Sequence, residues 1–254
     1  ADFSTPDRIA ELARSVPADV FVNAAAYTAV DRAESEEELA TAVNGRSVGA
    51  LAEAAAGRGL PLVHISTDYV FDGTGEAARA PDEGTAPLGA YGRSKRIGEE
   101  RLRAAGGPHA ILRTSWVFSA HGQNFVKTML RLAETRDRLT VVADQVGGPT
   151  AAGDIAGACI AMARALVDRP ELTGTYHFSG APDTSWADFA REIFARAGRK
   201  VEVEDIPTKA YPTPARRPLN SRLDCTATEA AFGLGRPDWR VALGGVLEEL
   251  GANG

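Results

Sequence analysis

Hydrophobic residues along the chain form short continuous runs that alternate with longer stretches of periodic or Ala-rich character. The short runs lie at 19–26, 62–71 and 110–118. A continuous apolar run of this length predicts a strand that is buried on both faces. The stretches at 48–57 and 91–105 end at glycine and predict helices. Strands that alternate with such helices indicate βαβ units and a parallel sheet.

The pattern changes after about Leu172. Short strand-like runs at 175–178 and 201–206 flank a helical stretch at 186–197, and a Pro-rich basic loop follows at 211–221. This half predicts a smaller α+β lobe that closes over the sheet. We therefore divide the chain into a larger part, 1–172, and a lobe, 173–254.

Composition narrows the possible functions. The chain has 254 residues, of which 44% are hydrophobic, and its net charge of −6 argues against a nucleic-acid-binding surface. Cys159 and Cys225 are far apart in sequence, so a reduced, cytoplasmic compartment is expected. No apolar run is long enough to cross a membrane, and no secretory leader is visible.

The candidate chemistry lies around Tyr91 and Lys95. These residues are four apart in a predicted helix and therefore share one face of it. Thr67 ends the predicted strand upstream, and ligands of parallel sheets bind at the carboxyl ends of the strands. A phenol, an ammonium and a hydroxyl in one cleft can give a proton to a carbonyl oxygen while hydride reaches its carbon.

Six segments, in order, resemble the dTDP-4-dehydrorhamnose reductases of the extended short-chain dehydrogenase/reductase superfamily. Each segment is weakly specific alone, but together they span nearly the whole chain. They lie at 22–31, 66–71, 91–95, 113–117, 144–150 and 214–218. The resemblance implies a Rossmann-like doubly wound parallel sheet at 1–172, which binds a dinucleotide, and a C-terminal α+β substrate lobe at 173–254.

The resemblance implies NADPH-dependent reduction of the C4 ketone of dTDP-4-dehydro-L-rhamnose to dTDP-L-rhamnose, with NADH possible as the cofactor. Tyr91 is the expected proton donor, and Thr67 is expected to hydrogen-bond the carbonyl oxygen. We expect the Lys95 ammonium to lower the pKa of Tyr91 and to hold the nicotinamide ribose.

Further binding residues follow from the same resemblance. The expected cofactor-binding residues are Asp2, Phe3, Ala26, Tyr27, Thr28, Tyr91 and Lys95. The expected substrate-binding residues are Thr67, Asp68, Tyr69, Trp116 and Arg216. The partner is then a small nucleotide sugar, with no nucleic acid and no membrane, and the protein is a monomer or a weak homodimer. No metal site is expected, because Gly153 offers no ligand at the position where some family members carry an acidic residue.

Several of these residues have a structural interpretation as well. Tyr69 could be a half-buried strand aromatic, and Trp116 could pack in the core. Arg216 and Arg217 could bind a diphosphate or brace the lobe through carboxylates. His64, on a buried strand, is expected to be a core histidine rather than a catalyst. The acidic run 34–38 is expected to be an exposed helix face.

The superfamily begins with a strand and a Gly-rich turn that binds the cofactor pyrophosphate. The printed chain starts at Ala1-Asp2-Phe3, and no Gly-x-x-Gly-x-x-Gly precedes the first predicted strand. We expect the natural protein to carry that segment; the alternative is a truncated form that cannot hold the cofactor normally.

Two other functions remain open. The first is a 4-ketoreductase of another dTDP-deoxysugar pathway, and the sequence hardly distinguishes this function from reduction of dTDP-4-dehydro-L-rhamnose. The second is a non-catalytic, cofactor-binding regulatory subunit that resembles the β subunit of methionine adenosyltransferase. The presence of Thr67, Tyr91 and Lys95 together argues against the second.

Overall fold

The computed structural model describes residues 1–252 and 254. The strands are β1 Phe21–Asn23, β2 Leu62–Thr67, β3 His109–Thr114, β4 Val117–Phe118, β5 Arg138–Val142, β6 Val146–Gly147, β7 Thr150–Ala151, β8 Gly174–His177, β9 Thr184–Ser185, β10 Glu202–Ile206 and β11 Asn220–Ser221. The helices are α1 Pro6–Ser15, α2 Val30–Ala33, α3 Glu37–Thr41, α4 Ser47–Gly57, α5 Ala90–Ala105, α6 Phe125–Leu132, α7 Ala152–Asp168, α8 Trp186–Arg196, α9 Thr226–Phe232 and α10 Trp239–Glu249.

The main sheet confirms the predicted α/β class. Its strands run parallel in the order β1-β2-β3-β8, with Val63 opposite Ala110 in the central pair. One face packs against α1, α4 and α5 through a cluster that includes Ile9, Leu51 and Leu102. The other face packs against α7, where Met162 is fully buried. Helices on both faces make this a doubly wound Rossmann-like sheet.

Element boundaries differ from the predicted runs. The run 62–71 leaves the sheet after Thr67 and continues as a 3-10 turn, Asp68–Val70, because the Thr67 side chain accepts a hydrogen bond from the Tyr69 amide. The run 110–118 divides into β3 and β4 at Trp116, whose φ of 50° is incompatible with a continuous strand.

Strands of the smaller lobe come from both sides of residue 172. β10 pairs with β5, and β6 lies between β11 and β9. Conversely β8, expected in the lobe, pairs with β3 and completes the main sheet, since its residues 174–177 continue the buried parallel ladder. The division into a dinucleotide domain at 1–172 and a substrate lobe at 173–254 stays a prediction about function.

The lobe has its own apolar core. α6, α8 and α10 surround it, and the aromatic rings of Phe118 and Phe189 meet edge to face at 5.6 Å. Trp239 at the start of α10 contacts Phe189 at a centroid distance of 5.1 Å. Among the described residues, no helix combines the length and the apolar character that a membrane-spanning helix requires.

Helix α5 lies very close to the helix that precedes β2. A π-helical turn, Ala42–Arg46, joins α3 to α4, and the Asn44 carbonyl points at Gly98 of α5. A Cβ at position 98 would lie 2.1 Å from that oxygen. Only glycine fits there, so the position of α5 over the sheet depends on this contact.

Gly98→Ala should lower the free energy of unfolding by roughly 1–3 kcal/mol, because the added methyl overpacks a backbone contact. Gly157→Ala is the matched control: it lies within α7, and a Cβ there would meet nothing within 4 Å. This control should stabilise the protein by about 0.5–1 kcal/mol. Urea unfolding would measure both variants, and equal effects would contradict the packing argument.

Candidate active site

The candidate site lies where β2 meets the first turn of α5. Thr67 ends β2 and donates a hydrogen bond from Oγ1 to Asp68 Oδ1 at 3.0 Å. Tyr91 is the second residue of α5, and its ring contacts Tyr69 at a centroid distance of 5.6 Å. A Cβ at Gly92 would lie 2.2 Å from the Tyr69 carbonyl oxygen, so glycine allows the helix to approach this closely. The structure thus brings Thr67, Asp68, Tyr69 and Tyr91 together.

Lys95 lies one turn further along α5 and is buried behind Tyr91. Its Nζ donates to the Ile65 carbonyl oxygen at 2.6 Å and lies 3.3 Å from His64 Nε2. Burial lowers the pKa of Lys95 to about 8, and the Glu99 carboxylate opposes this effect. The amine therefore titrates close to neutral pH.

The pKa of Tyr91 differs in direction from the expectation. Burial raises it to about 12; the Asp68 carboxyl adds to this, while hydrogen bonding to Thr67 opposes it. Lys95 does not lower the pKa of the phenol, because its amine is directed at Ile65 and His64 of β2 instead. The consequence is a phenol that stays protonated at neutral pH.

Asp68 presents an unpaired acceptor to the site. The residue is 3% exposed, and its Oδ2 has no hydrogen-bond partner among the described residues. Burial raises the pKa of this carboxyl to about 6, opposed by the nearby Ser221 hydroxyl, whose Oγ itself has no hydrogen-bond partner among the described residues, and by the Thr67 hydroxyl, which donates to Oδ1. Buried polar atoms are normally hydrogen-bonded, so an oxygen of this kind suits a ligand hydroxyl.

Three of the expected cofactor-binding residues lie in the loop that follows β1. The Tyr27 amide donates to Asn44 Oδ1 at 2.8 Å, and its hydroxyl donates to Glu36 Oε2 at 2.6 Å. The Tyr27 and Tyr91 side chains pack against one apolar cluster. Ala26 and Thr28 flank Tyr27 in the loop that follows β1.

Asp2 and Phe3 lie near the start of α4. The Phe3 carbonyl oxygen accepts a hydrogen bond from Ser47 Oγ at 2.6 Å, and Asp2 Oδ1 accepts one from the Ser4 amide at 2.8 Å. These contacts fix the first residues of the chain beside the helix that follows Asn44. The structure does not bring them into contact with Tyr91 or Lys95.

Trp116 combines both interpretations offered by the sequence. Its ring stacks on Trp186 of α8 at 3.6 Å with an interplanar angle of 11°, yet it remains half-buried. Trp186 Nε1 donates to Gln145 Oε1 at 3.1 Å, which fixes the stack. A non-glycine residue with positive φ is costly and often occurs at functional sites.

The two arginines of the Pro-rich loop behave differently. Arg217 Nη2 donates to Asp31 Oδ2 at 2.7 Å and so braces the loop against α2. Arg216 is exposed, and its side chain makes no hydrogen bond or ion pair within the described part of the chain. Arg217 Nη1, however, is buried without a hydrogen-bond partner among the described residues, so both arginines have guanidinium donors left for a phosphate.

The acidic run 34–38 is not simply an exposed face. Glu34 Oε1 accepts from the Ala90 amide at 2.9 Å, and Glu37 forms an ion pair with Arg93. Both contacts fasten the first turn of α5. Within residues 1–252 and 254, no three His, Cys, Asp or Glu side chains are grouped closely enough to bind a metal ion.

A buried ion pair that the sequence did not predict joins β3 to α5 next to the site. Arg113 of β3 donates from Nη2 to Glu99 Oε2 at 2.7 Å and from Nε to Oε1 at 2.9 Å, and both side chains are at most 1% exposed. Burial would raise the pKa of Glu99, but Arg113, with Ser66 and Arg103, holds it below its ordinary value. The sequence does carry one indication of it, because the four-residue spacing from Lys95 to Glu99 places Glu99 on the same helix face.

Comparison with known proteins gives a consistent result. The family model described as the RmlD substrate binding domain matches residues 1–252. A dTDP-4-dehydrorhamnose reductase of Sinorhizobium fredii is 50% identical over 244 residues, which cover 94% of this chain and 82% of the relative. That of Escherichia coli K12 is 45% identical, with coverage of 98% and 85%.

Solved structures agree. A dTDP-4-dehydrorhamnose reductase of Clostridium acetobutylicum superimposes with a TM-score of 0.91 at 36% identity, covering 98% of this chain and 87% of the other. That of Bacillus anthracis, in complex with NADP, gives a TM-score of 0.89 at 35% identity, with coverage of 98% and 86%.

Arg113→Met should reduce the free energy of unfolding at pH 7 by about 3–5 kcal/mol, because the buried Glu99 carboxylate loses its buried, two-point cationic partner and keeps only the partly exposed Arg103 and the Ser66 hydroxyl. Arg103→Met is the matched control: Arg103 contacts the same carboxylate but is 41% exposed, so the loss should be about 0–1 kcal/mol.

The pH dependence of these variants is a second test of the ion pair. The native pair stabilises the fold above the unfolded pKa of Glu99, and this contribution is lost as the pH falls through the lowered folded value. In Arg113→Met the Glu99 carboxyl, without its main cationic partner, can protonate more readily, so the destabilisation should shrink between pH 7 and pH 5. Urea unfolding at both pH values would show this, and a pH-independent penalty would contradict the assignment.

Proposed function

The chain belongs to the family of the RmlD substrate binding domain, and from this membership we propose that it reduces the C4 ketone of dTDP-4-dehydro-L-rhamnose with NADPH to give dTDP-L-rhamnose. The relatives' names and the NADP complex of one solved relative support this reaction. The observation that carries the proposal is that Thr67 and Tyr91 meet at the carboxyl end of β2, with Lys95 one turn further along α5.

Tyr91 is the proposed proton donor. Its raised pKa keeps the phenol protonated at neutral pH, which is the form that a reduction consumes. The ketone carbon gains a hydride, its oxygen takes the phenolic proton, and Tyr91 is left as a phenolate. Thr67, whose hydroxyl lies beside Tyr91, orients the carbonyl oxygen for this transfer by turning its proton away from Asp68 Oδ1, to which it donates here.

Lys95 then acts on the phenolate. A neighbouring ammonium stabilises an anion in a buried site, so a protonated Lys95 favours proton release from Tyr91. To reach the phenolate or a ribose, its Nζ must leave the Ile65 carbonyl, to which it donates at 2.6 Å here. In this structure the amine is therefore bound to the backbone of β2 and not to Tyr91.

The residues present fit a nicotinamide dinucleotide. A phenol and an amine on one helix face suit the ribose hydroxyls, and the Tyr27 side chain from the loop after β1 packs on the same apolar cluster as Tyr91. The proposed cofactor-binding residues are Asp2, Phe3, Ala26, Tyr27, Thr28, Tyr91 and Lys95. When bound, NADPH supplies the hydride.

Substrate binding is proposed for the polar and aromatic groups around the cleft. The unpaired Asp68 Oδ2 would accept a hydrogen bond from a sugar hydroxyl, and Tyr69 lies beside it. Trp116 offers a flat ring on the side of the lobe. Arg216, exposed and without a carboxylate partner, would bind the diphosphate. A different dTDP-linked ketosugar would use the same groups.

Tyr91→Phe should lower kcat by at least about a hundredfold, because it removes the general acid but keeps the ring. The assay follows NADPH oxidation by the natural full-length polypeptide, with dTDP-4-dehydro-L-rhamnose generated in place. Tyr176→Phe, in β8, is the matched control: its hydroxyl donates only to the Leu172 carbonyl, so activity should be kept.

Three outcomes separate the candidate functions. Turnover that is lost only in Tyr91→Phe supports the reductase. No turnover with this sugar, but turnover with another dTDP-linked ketosugar, moves the substrate. Tight NADPH binding without turnover on any ketosugar refutes a reductase and favours a regulatory subunit.

Trp116→Ala should raise KM for the nucleotide sugar by roughly tenfold, because a stacking surface is lost. The dissociation constant of NADPH should stay the same, which provides an internal control against global damage. Steady-state kinetics and cofactor titration would measure the two quantities, and an unchanged KM would assign Trp116 to packing alone.

A further inference from the structure

His64 is a buried titratable residue that the proposed mechanism does not use. It lies in the middle of β2 with no exposed surface. Its two ring nitrogens both have close polar neighbours. Asn23 Nδ2 lies 3.0 Å from Nδ1, and Lys95 Nζ lies 3.3 Å from Nε2. The imidazole therefore bridges the end of β1 to the lysine of the candidate site.

The orientation of Asn23 assigns the proton on this ring. The Ala25 amide donates to Asn23 Oδ1 at 3.1 Å, which leaves the Asn23 NH₂ group facing His64. An NH₂ group only donates, so Nδ1 must be the acceptor, and a neutral imidazole then carries its proton on Nε2. Burial lowers the pKa of His64 well below its ordinary value and keeps the ring neutral; a positive charge on Lys95 would lower this pKa further.

This arrangement accommodates only a neutral Lys95. An ammonium has three donors and no lone pair, so it cannot accept the Nε2–H bond of His64. A neutral amine can accept it while it donates to the Ile65 carbonyl. If Lys95 takes up a proton, Nε2 must become the acceptor, the ring proton must move to Nδ1, and the Asn23 amide must turn. The Ala25 amide then loses its acceptor.

We propose that His64 is a positioning residue for Lys95, and that the tautomer of its imidazole follows the charge of the lysine. His64 carries its proton on Nε2 when Lys95 is a neutral amine and on Nδ1 when Lys95 is an ammonium. The change adds one proton to the pair, taken from solvent, and the ring is neutral in both states. This inference deepens the proposed function, since it concerns the lysine that acts on Tyr91.

Other charged groups near Lys95 act in defined directions. On its own helix, Glu99 favours the ammonium, but its charge is compensated by Arg113 of β3 and by Arg103. Tyr91, one turn before, is a neutral phenol, and Asp68 faces that phenol from the 3-10 turn. From the π-helical turn, the neutral Asn44 donates a hydrogen bond to Ser94 of this helix. The cost of turning Asn23 adds to burial in disfavouring the ammonium.

The tautomer can be observed directly by NMR. The chain has four histidines and four lysines, so ¹⁵N-histidine and ¹³Cε-lysine labels give few signals. The His64 ring should carry its proton on Nε2 at high pH and on Nδ1 at low pH. The midpoint of this change should coincide with that of the Lys95 methylene. A single tautomer across the titration, or an imidazolium, would overturn the proposal.

His64→Gln tests the effect on the lysine. A glutamine oxygen can accept a hydrogen bond from the ammonium without a tautomer change, so the Lys95 midpoint should rise by about one pH unit. His109→Gln is the matched control, because His109 is 7% exposed at the opposite end of β3 and its Nδ1 lies 2.8 Å from the Gly107 carbonyl. It should leave the Lys95 midpoint in place.

Activity provides an independent readout. The alkaline limb of the pH profile of kcat should move upward by the same amount in His64→Gln. A coupled His64 and Lys95 titration without turnover on any ketosugar would refute the proposed reaction but support this inference. Turnover with a Lys95 midpoint unmoved by His64→Gln would refute this inference alone. Should His64→Gln fail to fold, the wild-type tautomer titration still decides.

Discussion

The close packing of α5 on the 3-10 turn after β2 and on the π-helical turn before α4 is the constraint on which the site depends. Gly92 and Gly98 let the helix approach the Tyr69 and Asn44 carbonyl oxygens to distances that exclude any side chain. Three residues of α5, each one turn from the next, meet the last three residues of β2. Tyr91 meets the end at Thr67, Lys95 meets Ile65, and the third member, Glu99, accepts from Ser66 Oγ at 2.6 Å. The helix and the strand thus determine one another's chemistry.

The ionisable side chains that α5 presents to β2 differ in charge from one turn of the helix to the next. A phenol that stays protonated is followed by an amine that titrates near neutral pH and then by a carboxylate held ionised by Arg113. Ionised groups in a buried layer are tolerated because each is paired or hydrogen-bonded. Asp68 is the exception, since one of its oxygens is unpaired among the described residues. The layer is therefore complete on the side of the sheet and open toward the cleft.

Local periodicity was enough to predict the parallel sheet, the helices near 48–57, 91–105 and 186–197 and the Tyr91–Lys95 pair, because these depend on residues close in sequence. What sequence could not predict depends on contacts across the fold. The place of β8 beside β3 and the turn at Trp116 are decided by tertiary packing. The direction of the Tyr91 pKa was wrong for the same reason. Four-residue spacing places Lys95 on the right face, but only the strand shows that its amine turns to Ile65.

The stacked indoles of Trp116 and Trp186 join the end of the main sheet to the first residue of α8 in the lobe. Two nearly parallel chromophores 3.6 Å apart share their electronic excitation. Their near-ultraviolet dichroism depends steeply on separation and angle, and the remaining tryptophan, Trp239, lies in the lobe core. The near-ultraviolet circular dichroism of this pair should therefore report changes in the spacing between sheet and lobe without any attached label.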